Sequence, residues 1–204
     1  GCQAGRLLIP LAEDGHRLIG VDTSGFALRR AKQHAAQQRL SVELHEGSIA
    51  KLRRWVKPES LDVVICAEVL YLCPDHRELM RLLVDSVKPG GLLFISHRPV
   101  QFYVAGALRR HQPEQALSIT QRTEGPSPEG DYHNWYAAEQ LPALYQSYGL
   151  KVLATPPINQ QLSMLDVSTI NGQILRALEP MRQTDSTFRI PAYWLVIAHK
   201  PQKE

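Results

Sequence analysis

The stretch GCQAGRLLIPLAEDGHRLIGVD, residues 1–22, decides the fold of this chain. It predicts a glycine turn at Gly1 and Gly5, then a short apolar helix, then a buried strand over residues 18–21 that ends in the carboxylate of Asp22. Glycines allow tight dihedral angles and let backbone N–H groups approach a ligand closely. In an α/β fold of this kind, an acid at the end of such a strand can accept hydrogen bonds from a ribose diol. Together these features indicate a nucleoside-binding unit of the doubly wound α/β type.

Two classes of nucleoside-binding protein use such a unit, and position 6 distinguishes them. The dinucleotide fingerprint G-x-G-x-x-G requires a glycine there, whereas this chain has Arg6. The spacing of Gly1 and Gly5 instead resembles the G-x-G-x-G turn of class I S-adenosylmethionine-dependent methyltransferases, with Gln3 in place of the middle glycine. This resemblance implies that the turn surrounds the methionine moiety of the cofactor and that Asp22 holds its ribose.

Two later segments extend the resemblance over residues 1–98. The run LDVVICA at residues 61–67 is continuously apolar, as a fully buried parallel strand should be. The EVL that follows at residues 68–70 resembles a segment after strand 4 of small-molecule methyltransferases, and VKPGGLLFIS at residues 87–96 is typical of the same family. The resemblance implies an α/β fold with a doubly wound, Rossmann-like methyltransferase sheet that is mostly parallel and has an antiparallel last strand.

The organisation of the chain follows from the same comparison. The family normally has a hydrophobic strand before the glycine turn, so we expect the first strand to be missing from this chain, with about ten residues absent upstream. No internal repeat or second domain is visible, and residues 1–204 predict a single methyltransferase domain. The connections at about 99–135 and 156–190 are longer than a plain loop needs, so we expect cap-like insertions there. Within the first of them, residues 121–131 are rich in Gly, Pro and Ser and predict a mobile loop.

Composition sets broad limits on partners and location. A net charge of +3 gives no strong electrostatic case for nucleic acid, and no apolar run approaches the ~18 residues of a membrane span. Three cysteines without C-x-x-C or Cys/His spacing favour reduced thiols in a cytoplasmic setting and no metal site. A signal peptide and the oligomeric state are left open by the sequence.

The resemblance implies S-adenosyl-L-methionine as the cofactor, held at the ends of successive strands. The family usually has an acid for the adenine amino group after its third strand, where this chain has Ser48. Either a hydroxyl or a backbone group replaces that acid, or the segment is a simple turn before a helix. The predicted cofactor contacts are Gly1, Cys2, Gln3, Gly5, Asp22, Thr23, Gly47, Ser48, Ile49, Cys66, Ala67, Glu68 and Leu70.

The acceptor is expected at the carboxyl ends of the strands, beneath the two insertions. Methyl transfer needs alignment above all, and a base is needed only when the acceptor loses a proton as it attacks. His133, in an aromatic and polar segment, is the candidate base. The predicted substrate contacts are Tyr71, His97, Tyr132 and Trp135; His97 has the alternative of a structural histidine, and Trp135 that of a packing residue.

Two functions remain in play from the sequence. The first is methyl transfer to a small organic acceptor, and the absence of a D/N-P-P-Y signature argues against a nucleobase amine as that acceptor. The second is a methyltransferase-like binding or scaffold protein without turnover, an alternative that Gln3 and Ser48 favour. A dehydrogenase is less favoured than either, because Arg6 occupies a glycine position of the dinucleotide fingerprint and dehydrogenases do not usually end with such strands.

Overall fold

The computed structural model describes residues 1–202 as an α/β structure of seven helices and nine strands, with short 3-10 turns between them. Their order alternates strand and helix in the first half of the chain, as the sequence predicts. The bounds are α1 Leu8–Glu13, β1 Ile19–Asp22, α2 Gly25–Gln37, β2 Glu43–Glu46, β3 Leu61–Cys66, α3 His76–Ser86, β4 Val87–His97, α4 Val100–Arg109, α5 Pro113–Thr120, β5 Glu124–Pro126, β6 Tyr132–Asn134, α6 Leu141–Gln146, β7 Lys151–Ala154, β8 Pro157–Met164, α7 Gly172–Leu178 and β9 Thr187–His199. None of the helices described for residues 1–202 could cross a lipid bilayer.

The first half of the chain builds a small βαβ unit around one close contact. Strands β1 and β2 are parallel, with Asp22 opposite Glu46. A Cβ at Gly20 would lie 2.6 Å from the Leu8 side chain and 2.8 Å from Leu44, so only glycine lets α1 and β2 pack this closely on β1. The Ser24 hydroxyl caps α2 by accepting a hydrogen bond from the Ala27 N–H at 3.2 Å.

Five of the remaining strands form the main sheet, in the order β3-β4-β9-β7 with β8 also paired to β9, and β5 and β6 form a sheet of their own. Strand β3 is parallel to β4, while β9 runs antiparallel to both β4 and β7. The predicted fold class, with an antiparallel last strand, is therefore confirmed. Strand β9 extends over thirteen residues, because its first half also pairs with β8.

The sheet is interrupted between β1 and β3. In the described residues, β1 and β2 form a two-stranded sheet of their own, and β3 pairs only with β4. Val63 and Ile65 on β3 are 45% and 42% exposed, although their apolar strand is of the type that is buried on both faces. This interruption is where the sequence predicts one further parallel strand.

The two predicted insertions pack against each other and form what we call the upper lobe, residues 99–135 and 156–190. Helices α4, α5 and α7 share an apolar cluster with β9 that is separate from the main core. Tyr103, Ile119, Ile174 and Phe188 are among its fully buried members. Residues 121–131, predicted to be a mobile loop, contain β5 and the turn of an antiparallel hairpin whose second strand is β6, with Gly125 opposite His133.

His97 ends β4 inside the main core. Its side chain is 4% exposed, and its Nε2 lies 2.8 Å from the Tyr145 hydroxyl. The rings of Tyr136 and Tyr145 contact the imidazole edge-on, at 5.4 and 5.7 Å between centroids. Burial lowers the pKa of His97 to about 3, because this apolar surrounding disfavours the imidazolium ion.

We expect the free energy of unfolding to fall as the pH drops below 6.5. The unfolded chain binds a proton at His97 near pH 6.5, whereas the folded chain resists it until about pH 3. Between these values the group costs about 1.4 kcal/mol of stability per pH unit. Urea unfolding at pH 7 and pH 5 measures this, and His97→Phe should have the shallower pH dependence. The exposed His16→Asn serves as the control, and equal slopes in all three proteins would contradict the prediction.

The interruption gives a second expectation. A hydrophobic segment of about five residues fused before Gly1 can pair with a free strand edge, since β1 and β3 each have one partner strand in the described residues. We expect Tm to rise by about 2–4 °C for each kcal/mol gained. The control is the same fusion with a proline at its centre, which removes a strand N–H. Identical melting of the two fusions would show that no strand enters the gap.

Candidate functional site

The carboxylate of Asp22 is fixed at the carboxyl end of β1. Its Oδ2 accepts a hydrogen bond from the Gln3 N–H at 2.8 Å, and its Oδ1 accepts one from the Ser24 N–H at 2.9 Å. The residue is only 7% exposed. Each carboxylate oxygen can accept more than one hydrogen bond, so both keep capacity for a ligand hydroxyl. The glycine turn and the strand end are thus one rigid unit.

Gln3 adopts the conformation that the missing middle glycine would supply. Its φ is +47°, in the left-handed region, and its side chain is exposed. Gly5 follows with φ +91° and is buried, and an added Cβ there would lie 3.0 Å from Ile9. The backbone of the predicted turn is therefore kept despite the substitution, at the strain cost of a non-glycine residue with positive φ.

The end of β2 joins the same unit through the backbone. The Gly47 N–H donates to the Asp22 carbonyl at 2.8 Å. The Ser48 hydroxyl accepts a hydrogen bond from the Ala50 N–H at 3.3 Å and so caps the 3-10 helix Ile49–Arg54. Ser48 therefore lies in a turn before a helix, which is one of the two alternatives that the sequence left open. Its hydroxyl proton can still be donated to a ligand. Thr23 is exposed at the rim.

The end of β3 approaches the glycine turn. An added Cβ at Gly1 would collide with Val69, which shows how closely the turn packs on this segment. Glu68 has φ +59°, and its N–H donates to the Ser96 hydroxyl at 2.6 Å. Its Oε2 accepts a hydrogen bond from the Tyr193 hydroxyl at 2.6 Å. A strained, doubly anchored carboxylate beside the turn is a feature typical of functional sites.

Arg98 lies at the centre of an aromatic cluster just beyond β4. The guanidinium carbon is 4.3 Å from the Phe102 ring centroid, 4.4 Å from that of Tyr193 and 4.9 Å from that of Tyr71. The guanidinium donates to the Ala192 carbonyl at 3.1 Å and to the Tyr71 hydroxyl at 3.2 Å, and it lies 3.9 Å from Glu68 Oε2. One cation thereby links β3, β4 and β9 at the edge where ligands bind.

His133 faces this cluster from the hairpin. Its ring contacts Tyr71 edge-on at 5.8 Å and Tyr103 at 5.3 Å between centroids. Burial first, and then the charge of Arg98, lowers its pKa below the ordinary 6.5. Within residues 1–202, its buried Nδ1 and the buried Tyr103 hydroxyl have no hydrogen-bond partner. A neutral imidazole with a free nitrogen can accept a proton.

Several predicted site residues lie elsewhere. His97 and Trp135 are buried, His97 against Tyr145, and Trp135 in the upper lobe, where its Nε1 donates to the carbonyls of Ile119 and Arg122. These packed positions match the structural alternatives that the sequence left open, so neither residue is carried into the proposal as a substrate contact. Tyr132 turns toward α3, where its hydroxyl lies 3.3 Å from His76 Nδ1, and it donates to Glu124 on β5 at 2.7 Å.

Five predicted cofactor residues offer backbone or packing contacts rather than polar side chains. Ile49, Cys66 and Leu70 belong to the main core, and burial raises the pKa of the Cys66 thiol to about 12. The Cys2 side chain packs against the apolar cluster of α1 and α2. Ala67 precedes Glu68 at the end of β3, so its contribution is likewise that of the backbone.

Sequence reasoning missed Arg98, Tyr103 and Tyr193. Arg98 directly follows a predicted strand and could have been found by its position at that strand's carboxyl end. Tyr193 lies on the antiparallel β9, where His97 is opposite Trp194, and only this register brings it to the site. Tyr103 is a helix residue in an apolar stretch, with no sequence signal of its own.

Comparison with known sequences places the first half of the chain in a family. Residues 1–95 match the model described as "Methyltransferase domain". A ubiquinone biosynthesis O-methyltransferase of Colwellia psychrerythraea is 29% identical over 155 residues, which are 75% of this chain and 59% of that protein. The corresponding enzyme of Ralstonia nicotianae is 34% identical over 110 residues, 53% of this chain and 46% of that protein. The matched segments thus span about half the length of these relatives.

Solved structures share the fold over the whole chain. An S-adenosylmethionine-dependent methyltransferase from Methanosarcina mazei superposes with a TM-score of 0.64 at 18% identity, covering 100% of this chain and 91% of that one. Magnesium protoporphyrin IX methyltransferase from Synechocystis, crystallised with bound S-adenosylmethionine, gives 0.55 at 15% identity, covering 97% and 66%. The resemblance predicted from the sequence is confirmed: residues 1–95 match the methyltransferase domain, and the chain has the fold of class I S-adenosylmethionine-dependent methyltransferases.

Proposed function

We propose that this chain transfers the methyl group of S-adenosylmethionine to an oxygen of a small organic acceptor. The observation that carries the proposal is the convergence of the glycine turn, Glu68, Arg98 and His133 at one edge of the sheet. The turn packs on Val69, and Glu68 contacts Tyr193 and Arg98, so the nucleoside-binding unit and the aromatic cluster are continuous. The two halves of a transfer reaction, a cofactor site and an acceptor site, therefore meet.

The residues present fit the cofactor. The Asp22 carboxylate is oriented by two backbone N–H groups and keeps accepting capacity for ribose hydroxyls. Gly1 packs so closely on Val69 that an added Cβ would collide with it. Gln3 has a positive φ of +47°, and its side chain is exposed. When bound, S-adenosylmethionine supplies an electrophilic sulfonium methyl group. The protein supplies orientation and a polar surrounding.

His133 is the group that we assign to accept the proton of the acceptor hydroxyl. Its lowered pKa keeps the imidazole neutral near pH 7, and its buried Nδ1 has no hydrogen-bond partner in the described part of the chain. Arg98 opposes protonation of His133 and also favours the ionised form of a nearby oxygen. The pair thus suits a hydroxyl that becomes more acidic on binding.

The chemistry of the site and the relatives support a phenolic or similarly apolar acceptor. The rings of Tyr71, Phe102, Tyr103 and Tyr193 offer stacking surfaces around a single cation and a single carboxylate. The matched relatives are O-methyltransferases of ubiquinone biosynthesis. A panel of phenols and catechols tests this reaction class without an identified natural acceptor.

A binding or scaffold protein without turnover is the second candidate. The strained Gln3 turn and the hydroxyl of Ser48 in place of an acid favour it. The two candidates predict the same binding of S-adenosylhomocysteine and differ in whether S-adenosylhomocysteine accumulates from S-adenosylmethionine with the phenol panel. Binding with no product from any acceptor would support the second candidate.

We expect Asp22→Ala to weaken S-adenosylmethionine binding at least tenfold. Charge-assisted hydrogen bonds to a diol are worth ~1.5–3 kcal/mol, which the alanine removes. Calorimetric titration measures the affinity, and a thermal melt checks that the variant is folded. Asp14→Asn, at the end of α1 away from the turn, is the control. Unchanged affinity in Asp22→Ala would remove the residue from the site.

We expect kcat to fall at low pH with a midpoint below 6.5. Because His133 accepts a proton only when neutral and its pKa is lowered, activity should rise through that lowered value and stay level above it. His133→Ala should reduce turnover ~10²–10⁴-fold at pH 7.5 with little change in cofactor affinity. The exposed His16→Ala is the matched control. Wild-type turnover in His133→Ala, measured with the most reactive phenol of the panel, would show catalysis by alignment alone.

A further inference from the structure

The hairpin of β5 and β6 carries His133 on one face and a set of polar contacts on the other. Alternate residues of a strand point to opposite faces, so Tyr132 and Asn134 lie opposite His133. Asn134 donates from its Nδ2 to the Leu70 carbonyl at 2.9 Å. Tyr132 reaches α3. The face away from the acceptor site is thus the one that attaches the hairpin to the body of the protein.

A directed chain of hydrogen bonds makes this attachment. Arg77 donates to Glu124 Oε1 at 3.0 Å, and the Tyr132 hydroxyl donates to Glu124 Oε2 at 2.7 Å. Since that hydroxyl has one proton, it can only accept from His76 Nδ1, 3.3 Å away. His76 therefore carries its proton on Nδ1, and its Nε2 accepts from the Tyr136 hydroxyl at 3.2 Å.

The groups around His76 favour this arrangement. It is 6% exposed, and burial and then the neighbouring Arg77 lower its pKa, so the neutral tautomer persists at neutral pH. Glu124 opposes this shift only partly, since its carboxylate is already paired with Arg77 and Tyr132. The Arg77 hydrogen bond and that of Tyr132 lower the pKa of Glu124, which keeps its carboxylate ionised. Each member of the chain thus holds the next in the required protonation state.

The far end of the hairpin is attached separately. Gln115 donates from its Nε2 to the Ser127 carbonyl at 3.0 Å, and Arg110 pairs with Glu129. These contacts tie the tip to α4 and α5 in the upper lobe. The root of the hairpin, by contrast, depends on the chain of hydrogen bonds to α3. His133 lies between the two attachments, so its position relative to Tyr71 is set by both.

We infer that Arg77, Glu124, Tyr132 and His76 form a latch that positions the hairpin and so holds His133 against Tyr71 and Tyr103. The inference rests on the proposed function in taking His133 as the proton acceptor. The latch residues touch neither the cofactor turn nor the aromatic cluster around Arg98. They act on the reaction by setting the position of the His133 ring. Tyr132, which the sequence predicted as a substrate contact, is then a positioning residue.

Two variants test the latch without an acceptor. Tyr132→Phe keeps the ring but removes the hydroxyl that joins His76 to Glu124, and Glu124→Gln keeps the shape but removes the charge paired with Arg77. Native-state hydrogen exchange should show at least a tenfold faster exchange of the Trp135 N–H, which donates to Thr123, in Tyr132→Phe and a smaller rise in Glu124→Gln. The pKa of His133, measured by NMR titration, should move toward 6.5 in the same order, because an opened hairpin exposes the ring to water.

Asp85→Asn is the matched control, since it removes a surface carboxylate paired with Arg53 at 2.6 Å and far from the hairpin. It should change neither readout. Exchange of the β4 amides reports global unfolding. If Tyr132→Phe raises exchange in β4 as much as at Trp135, the variant is globally destabilised, and the test of the latch then depends on Glu124→Gln alone. Unchanged exchange and titration in the deciding variants would overturn the latch. A latch response in a protein that forms no methylated product would contradict the proposed function and leave the latch standing.

Discussion

The pairing of β9 with three other strands holds this molecule together. Its second half lies between β4 and β7 in the main sheet, and its first half pairs with β8 in the same sheet. Val196 and Ala198 are fully buried in the main core, while Phe188 is fully buried in the upper lobe. A single strand therefore belongs to two apolar clusters. Because β9 belongs to both clusters, it sets the position of the upper lobe relative to the main sheet.

The aromatic cluster around Arg98 is a consequence of that constraint. Tyr193 lies on β9 at the level where β4 ends, so its ring and hydroxyl reach the guanidinium and Glu68. A cation among three rings is stabilised by their π faces while its N–H groups remain directed by hydrogen bonds. The nearby Tyr193 hydroxyl has a pKa raised to about 12 by burial and by its hydrogen bond to Glu68. It therefore stays protonated and continues to donate.

The two histidines near the site differ because their surroundings differ. Both have lowered pKa values, and desolvation is the main cause in each. His97 is enclosed by Tyr136 and Tyr145 and has its Nε2 bound, so it contributes packing. His133 is only half-buried and faces Arg98 and Tyr71. Burial depth and orientation, rather than residue type, separate a core histidine from a candidate base.

Much of the first half of this chain could be predicted from its sequence. Local rules suffice there: glycine spacing fixes the turn at Gly1 and Gly5, a short apolar run fixes β1, and Asp22 falls at its end. The match of residues 1–95 to the methyltransferase domain reflects this local character.

The upper lobe and the acceptor site were decided by tertiary structure. A Gly/Pro/Ser-rich segment predicted as a loop became a hairpin, because Arg77 and His76, about fifty residues away, bind its root. Tyr132 and His133 are neighbours in sequence with opposite roles, since a strand sends adjacent side chains to opposite faces. Sequence determined the cofactor-binding unit because its contacts are local or follow a fixed spacing. Only the packed structure decided which aromatic and ionisable groups surround Arg98, because those contacts join residues up to 125 positions apart.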